Sequence, residues 1–290
     1  MDTKKLEALA TAVELGSFTR ASEVLGYTQS GLTHMMNSLE KDIGFPLLIR
    51  CRSGVKLTQE GERVFPLIQE LLENTNALQR EIELVISGKE EIVRVAAYSS
   101  IAMHWLPEVI QQFRHNHPKV MVDIQMGSVE EVYRWAREGK VDMCFASRQD
   151  NMNLEWLSLR DDPLLAILPQ GYDMKGKTAF DVRHFNGQEF LMPSMGFDLD
   201  IMRVLNYHGV SPQVRTTQVS DSVIISMVEH GLGISILSEL ILKGRQDDVL
   251  AVPLAPAAVR ELGIGFFSQK SLRPLARRFM LEARDIIATL

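Results

Sequence analysis

Cysteine is almost absent: Cys51 and Cys144 are the only two thiols among 290 residues. That is too few for the disulfide framework on which small exported domains depend. No apolar run approaches the ~20 residues that a bilayer-crossing helix needs. The opening segment, MDTKKLEALATAVELG, carries Glu7 and Glu14 within its apolar stretch and has no small-residue cleavage site, so no signal peptide is read. The expected setting is the cytoplasm, with no membrane contact. There is no glycine-rich phosphate loop to suggest a nucleotide cofactor, and no Gly-x-Ser-x-Gly elbow to suggest nucleophilic catalysis. Seven histidines come without a cysteine cluster, and His115 and His117 lie two apart beside Pro118, which is wrong for a shared helical face. Neither a metal, nor a cofactor, nor an enzymatic role is expected. An excess of positive charge is missing too: 31 basic and 37 acidic residues give −6, so bulk charge does not announce a nucleic-acid partner.

What is present is an ordinary globular composition, 46% apolar and 23% charged, with material for one large domain or two. Residues 1–60 hold seven basic and seven acidic side chains and are neutral, with a small basic patch at Lys41, Arg50, Arg52 and Lys56. Leu6, Leu9, Ala10 and Val13 make one apolar helical face that Gly16 ends. Ser17 then caps a helix turning Phe18, Ala21, Val24 and Leu25 inward, and Gly26-Tyr27 makes a tight turn. Thr28 caps a third helix with Leu32, Met36, Leu39 and Ile43 inward, completing a helix-turn-helix pattern. On its outer face Gln29, Ser30, Thr33, His34 and Asn37 form a continuous stripe. These amides, hydroxyls and one imidazole can donate to and accept from base edges in a major groove. A merely solvated face would usually be rich in Glu and Lys. Around Ser53-Gly54 two short extended runs predict a hairpin wing, on which Arg50 and Arg52, with Lys41 nearby, can grip phosphates and fix register. Cys51 between the two arginines would have a lowered thiol pKa, but no resolving thiol is evident.

Thr58 caps a long helix to about residue 86. Gly61, Ile68, Thr75 and Ile82 share one heptad position, and Val64, Leu71, Leu78 and Val85 follow three residues later. The seam calls for a partner helix from a second copy, or else for burial against the same chain. Residues 58–91 therefore read as a dimerising linker and hinge after a 1–57 domain. From Ile92 strands alternate with helices in two successive sets, which predicts an α/β domain over 92–290 with two lobes, about 92–161 with 268–290, and about 162–267. Separate strands are expected at 249–254 and 261–268. A cleft between lobes is a favoured place for a small ligand.

This pattern resembles the LysR-type transcriptional regulators. The residues that carry the resemblance are Leu6, Leu9, Gly16-Ser17-Phe18-Thr19, Ala21, Leu25, Gln29-Ser30, Thr33, Leu39-Glu40, Gly44, Leu47, Arg50, Leu57-Thr58 and Gly61. In the second half they are Leu106-Pro107, Phe113, Pro118, Gly139, Val141-Asp142 and Val228-x-x-Gly231-Leu232-Gly233-Ile234. Ser22, Thr28, Gly31, Leu48 and Ser238 depart from that pattern. The resemblance implies an α-rich N-terminal winged helix-turn-helix, a long linker helix, and a two-lobed α/β effector domain like the type II periplasmic binding proteins. It implies that the stripe on the third helix reads bases. It also places an effector pocket at Ser99, Ser100, Gly127, Ser128, Ser147, Pro193, Ser194, Phe197, Gln218 and Ser220, with Met103, His104 and Met195 as walls. Ser99 and Ser100 at a helix start suit an anion or serve as ordinary caps. The implied protein is a ligand-responsive DNA-binding regulator that works as a homodimer or homotetramer on an interrupted dyad. Its effector is a non-covalent anionic or polar metabolite, and RNA polymerase is a further partner. A two-lobed solute-binding protein is the alternative, though it would have no use for residues 1–57.

Overall fold

A computed structural model of the chain describes residues 2–51, 54–87, 92–150, 152–193, 198–216 and 219–290, divided between two units, 1–88 and 89–290. In the first unit, local chemistry sets each helix boundary. Helix α1 (Thr3–Leu15) starts at Asp2, whose carboxylate accepts from the Lys4 N–H, and stops at Gly16 in the left-handed conformation. Helix α2 (Phe18–Leu25) runs from the Ser17 cap to Gly26, and α3 (Gln29–Ile43) from the Thr28 cap to Gly44. Leu6, Leu9, Phe18, Ala21, Leu32, Met36 and Leu39 form their shared core. Val24, expected inside, is 58% exposed, because the eight-residue α2 turns only Phe18, Ala21 and Ser22 fully inward.

The wing is the antiparallel pair β1 (Leu48–Cys51) and β2 (Gly54–Leu57), closing with Cys51 opposite Gly54. The Glu40 carboxylate ties it to α3 by accepting from the Leu47 and Leu48 N–H groups at 2.7 and 3.0 Å. A Cβ on Gly54 would stand 2.2 Å from the Gly16 carbonyl oxygen, so glycine is needed where the wing closes on the turn after α1. Helix α4 (Gln59–Ser87) starts at Thr58 and continues past Pro66. Its first turns differ from the expected seam. Gly61 and Ile68 are buried, and Val64, Phe65 and Leu72 join the core of the unit. The apolar row left exposed is Leu67, Leu71, Leu78 and Ile82, spaced 4, 7 and 4.

In the second unit β3 (Ile92–Ala97), α5 (Ser99–His104), α6 (Leu106–Asn116), β4 (Met121–Met126), α7 (Val129–Arg137) and β5 (Met143–Ser147) form a first α/β layer, with β3 parallel to both β4 and β5. Strand β6 (Glu155–Leu168) then leaves this lobe. The second lobe contains β7 (Phe180–Asp181), β8 (Glu189–Met192), α8 (Leu199–Tyr207), β9 (Gln213–Thr216), α9 (Asp221–Glu229), β10 (Ser235–Ser238) and α10 (Glu239–Leu242). Strand β11 (Leu250–Phe266) returns antiparallel to β6, and α11 (Pro274–Ile287) completes the first lobe. The main sheet runs β10-β6-β11-β5-β3-β4.

Two strands thus serve both lobes. The segments expected at 249–254 and 261–268 are one strand, interrupted where the register slips between Pro253 and Ala258. Pro253 and Pro256 lack the N–H that a ladder needs, so the sequence reads as two strands across a bulge. The lobe boundary moves accordingly. Leu262, Ile264 and Phe266 belong to the first-lobe core with Phe113, Phe145 and Phe279, so the chain re-enters that lobe before 262, not at 268. The second lobe has its own core around Phe180, Phe185 and Phe190.

Candidate functional site

The first candidate surface is the outer face of α3. Gln29, Ser30, His34 and Asn37 are exposed and Thr33 is half-buried, while Leu32, Met36 and Leu39 on the opposite side are buried. Thr28 Oγ1 accepts from the Gly31 N–H at 3.1 Å, and no acidic residue lies in the first turn. The positive end of the helix dipole is therefore not offset by a side-chain charge, which suits approach to a polyanion. A Cβ at Gly31 would meet Thr28 Oγ1 at 3.0 Å, so the small residue at this departure from the family pattern fits beside the cap. Lys41 is exposed in the last turn of α3. Lys5 bonds Asp42 at 2.7 Å and holds its carboxyl below the usual range. Arg50 lies on β1 and Arg52 lies outside the described residues.

The second candidate lies between the lobes of the second unit. Ser147, at the end of β5, donates through its hydroxyl to Asp200 Oδ2 at 2.6 Å. The Gln149 amide donates to Ser147 Oγ and to Asp200 Oδ1 at 2.8 and 2.9 Å, and accepts from Arg203 at 2.9 Å. First-lobe side chains thus clasp the start of α8. Ser99 reaches Asp221 Oδ2 at 3.4 Å, another bond from one lobe to the other. Ser100 is buried and accepts from Arg260 Nη2 at 3.2 Å.

Arg260 is the centre of a buried cluster where β11 crosses between lobes. It is 5% exposed, meets Asp162 of β6 at 2.8 Å, and donates to Ser238 Oγ at 2.6 Å. Burial works against its charge, yet the Asp162 carboxylate keeps its pKa above the ordinary value. The other oxygen of Asp162 accepts from the Leu240 N–H at 3.0 Å. Ser238, a departure from the family pattern, thus supplies a hydroxyl that Arg260 uses. Asp198 caps α8 by accepting from the Asp200 and Ile201 N–H groups. Burial, reinforced by Asp198, raises the pKa of Asp200. The Tyr98 and Tyr133 phenols are pushed well up by burial; Tyr133 donates to the Ser147 carbonyl, and Tyr98 Oη has no bonding partner among the described residues.

The expected pocket residues therefore divide. Ser99, Ser100 and Ser147 converge on the inter-lobe region, Pro193 is buried at the end of β8, and Ser220 is exposed at the start of α9. Ser194, Met195, Phe197 and Gln218 lie outside the described residues. Gly127 and Ser128 have local duties. An added Cβ at Gly127 would strike the Trp135 ring at 2.7 Å, and Ser128 forms a reciprocal cap with Glu131. Met103 is exposed, and burial lowers the pKa of His104.

The two serines at the start of α5 already have partners in this geometry. Ser100 faces a guanidinium already paired with Asp162, and Ser99 faces the Asp221 carboxylate. Sequence reasoning missed Tyr98, Gln149, Asp162, Asp198, Asp200, Arg203 and Arg260. Charged residues within apolar strand segments, Asp162 and Arg260 above all, were the available signal. Two surface depressions of about 430 and 370 Å³, on α6 and α11, contain none of these residues. Cys144 is fully buried, and its thiol is pushed up to about 12 by burial, so it is inert.

Residues 87–287 match the LysR substrate binding domain, and residues 3–62 match the bacterial regulatory helix-turn-helix protein of the lysR family. The uncharacterized HTH-type transcriptional regulator YvbU of Bacillus subtilis is 23% identical, over 99% of both chains. The probable HTH-type transcriptional regulator LrrA of Synechococcus elongatus is 28% identical over 88% of this chain and 84% of its own. Among solved structures, a full-length OxyR variant from Pseudomonas aeruginosa superposes with a TM-score of 0.58 at 24% identity, covering 99% of each chain. Full-length CbnR complexed with its target DNA gives 0.52 at 18% identity, covering 99% of this chain and all of that one. No described helix is long and apolar enough to cross a membrane.

Proposed function

The chain belongs to the LysR family of ligand-responsive, DNA-binding transcriptional regulators, and from that premise we propose how its parts divide the work. Helix α3 enters a major groove and reads base edges with Gln29, Ser30, Thr33, His34 and Asn37. Lys41, Arg50 and Arg52 hold the flanking phosphates. The observation that carries this reading is the exposed, nearly uncharged row on a helix whose opposite face is wholly apolar and whose N-terminus bears no acid. Two copies pair through Leu67, Leu71, Leu78 and Ile82 of α4, so that two reading helices meet an interrupted dyad about one DNA turn, roughly 34 Å, or a multiple of it apart. Homodimers or homotetramers would both satisfy this geometry. A polar small-molecule effector binds between the lobes of residues 92–290, without chemical change. The protein acts in the cytoplasm, with RNA polymerase as a further partner.

The effector shifts the angle between lobes by binding one arrangement more tightly than another, since only differential affinity moves such an equilibrium. A fluorescence-anisotropy titration of full-length protein on its own upstream DNA and on scrambled duplex tests the assignment of roles. Thr33→Ala and His34→Ala should narrow the gap between the two sequences. Arg50→Ala should weaken both alike and reduce the salt slope by about one. An Arg50→Ala variant that altered a single base preference would refute the division between reading and gripping. A thermal-shift screen of metabolites on the full chain tests the effector site.

A further inference from the structure

Hydrogen bonds fasten the wing to the turn after α1, to the start of α4 and to α3. The Gly16 carbonyl accepts from the Val55 N–H at 2.9 Å. Thr58, just ahead of α4, gives its N–H to the Leu47 carbonyl at 2.9 Å and its hydroxyl to the Pro46 carbonyl at 2.8 Å. Of these fastenings, the one that reaches the reading helix is made by Glu40. A single oxygen of its carboxylate, Oε1, accepts from two successive N–H groups, those of Leu47 and Leu48, where the chain enters β1. Helix α3 stops at Gly44, Phe45 and Pro46 follow, and the first residues of the wing thus meet a side chain one turn inside the helix end.

Leu47 is fully buried, and a buried N–H left without an acceptor is costly, so this junction depends on the Glu40 oxygen. One acceptor shared by two adjacent N–H groups fixes the direction of the strand that follows as well as its distance from the helix. Arg50 lies two residues beyond Leu48 in that strand, opposite Val55. The course of β1 therefore decides where the Arg50 backbone stands relative to α3. The helix itself is held independently, since Leu32, Met36 and Leu39 anchor it in the core and the stripe of reading residues ends at Asn37. An acid in a domain that binds a polyanion is otherwise a disadvantage, because it repels phosphates. A merely tolerated carboxylate and a positioning one thus predict opposite effects of its removal.

We propose that Glu40 is a positioning residue for DNA binding: its carboxylate sets the wing against α3, so that Arg50 grips a phosphate while α3 lies in the groove. This rests on the reading of Arg50 as a phosphate contact. Glu40 acts through the strand and touches neither base nor phosphate. Its loss leaves the sequence preference of α3 in place and removes the grip of the wing, as loss of Arg50 does. What matters is the acceptor's position rather than its charge. An amide oxygen in the same place has the lone pairs to accept both bonds, whereas a carboxyl withdrawn by one methylene falls short of them.

The test is fluorescence anisotropy of the full-length chain on its own upstream DNA and on scrambled duplex, between roughly 50 and 200 mM salt, with Arg50→Ala as the reference. Glu40→Ala and Glu40→Asp should each weaken binding to both duplexes about tenfold at roughly 0.1 M salt and lower the salt slope by about one. Glu40→Gln should bind within about twofold of the parent. Glu40→Ala combined with Arg50→Ala should be no weaker than either alone, because both remove one grip. Far-UV circular dichroism checks the helices of each variant, and if Glu40→Ala loses them, Glu40→Asp and Glu40→Gln decide. Unchanged or tighter binding by Glu40→Ala, additive losses in the double variant, or weak binding by Glu40→Gln would overturn the proposal. An unchanged slope in Arg50→Ala would overturn the reading of Arg50 and the proposal with it. A lowered slope in Arg50→Ala beside an unchanged one in Glu40→Ala would defeat the role of Glu40 alone.

Discussion

Asp162→Asn isolates the buried ion pair on which the crossing between lobes depends. The substitution keeps the oxygen that accepts from the Leu240 N–H and removes only the charge facing Arg260. The guanidinium would then be buried with the Ser100 and Ser238 hydroxyls as neutral partners, at 3.2 and 2.6 Å. Removing one member of a buried pair typically costs about 3–5 kcal/mol, because the other charge is left uncompensated. For a unit of some 200 residues each kcal/mol moves the midpoint by roughly 2–4 °C, so a drop of about 6–20 °C is expected. The readout is selective, since all three tryptophans, Trp105, Trp135 and Trp156, lie in residues 89–290. Tryptophan fluorescence in urea or on heating therefore reports this unit alone. Arg260→Met should cost less than Asp162→Asn, because a lone aspartic acid can bind a proton and a lone guanidinium cannot release one. The double variant should be less damaging than the sum of the singles, by about 2 kcal/mol or more. A loss below about 1 kcal/mol for Asp162→Asn, or strict additivity in the double variant, would refute the assignment of a desolvated pair.

Other outcomes follow from the same geometry. Leu71→Glu with Leu78→Glu places charge in the exposed row of α4 without touching Ile68 or Leu72 in the core, and should convert the assembly to smaller species in sedimentation velocity while leaving the tryptophan transition unchanged. The folded-state pKa of Asp200 is raised, by burial first and by Asp198 second, against the hydrogen bonds from Ser147 and Gln149 and the charge of Arg260. The protonated form is therefore favoured in the fold. This contribution is fully present below the unfolded value near ~4 and is lost as pH rises through the folded pKa. Asp200→Asn should accordingly gain stability relative to the parent as pH rises from about 4 to 7; a constant difference across that range would contradict the raised pKa. Cys144 should resist a thiol-specific reagent in the native state and react only on unfolding, since burial keeps its thiol protonated at neutral pH.

The winged helix-turn-helix was legible because its boundaries are chemical and local. Asp2, Ser17 and Thr28 each accept from a backbone N–H in the turn they open, and Gly16, Gly26 and Gly44 each take the left-handed conformation where a helix must stop. The stripe on α3 followed from the same periodicity, since fixing Leu32, Met36 and Leu39 inside places Gln29, Ser30, His34 and Asn37 outside. Where two elements compete for one face, periodicity was not enough. The repeat of α4 was visible, but which of its rows meets the first core depends on where the wing packs, and Gly61 lies against the Leu47 carbonyl, which a Cβ would approach to 2.4 Å.

The inter-lobe site was least legible, because its residues come from α5, β5, β6, α8, β10 and β11, up to 160 positions apart in the bond between Ser100 and Arg260. Taken singly, Asp198 is a helix cap, Ser238 is another, and Asp162 and Arg260 are blemishes in apolar strands. Each polar group inside a sheet must nevertheless find a partner or impose a desolvation cost. A strand segment such as Ala257-Ala258-Val259-Arg260-Glu261-Leu262 therefore implies an acid opposite Arg260, and the antiparallel register of β11 supplies it by setting Arg260 directly across from Asp162.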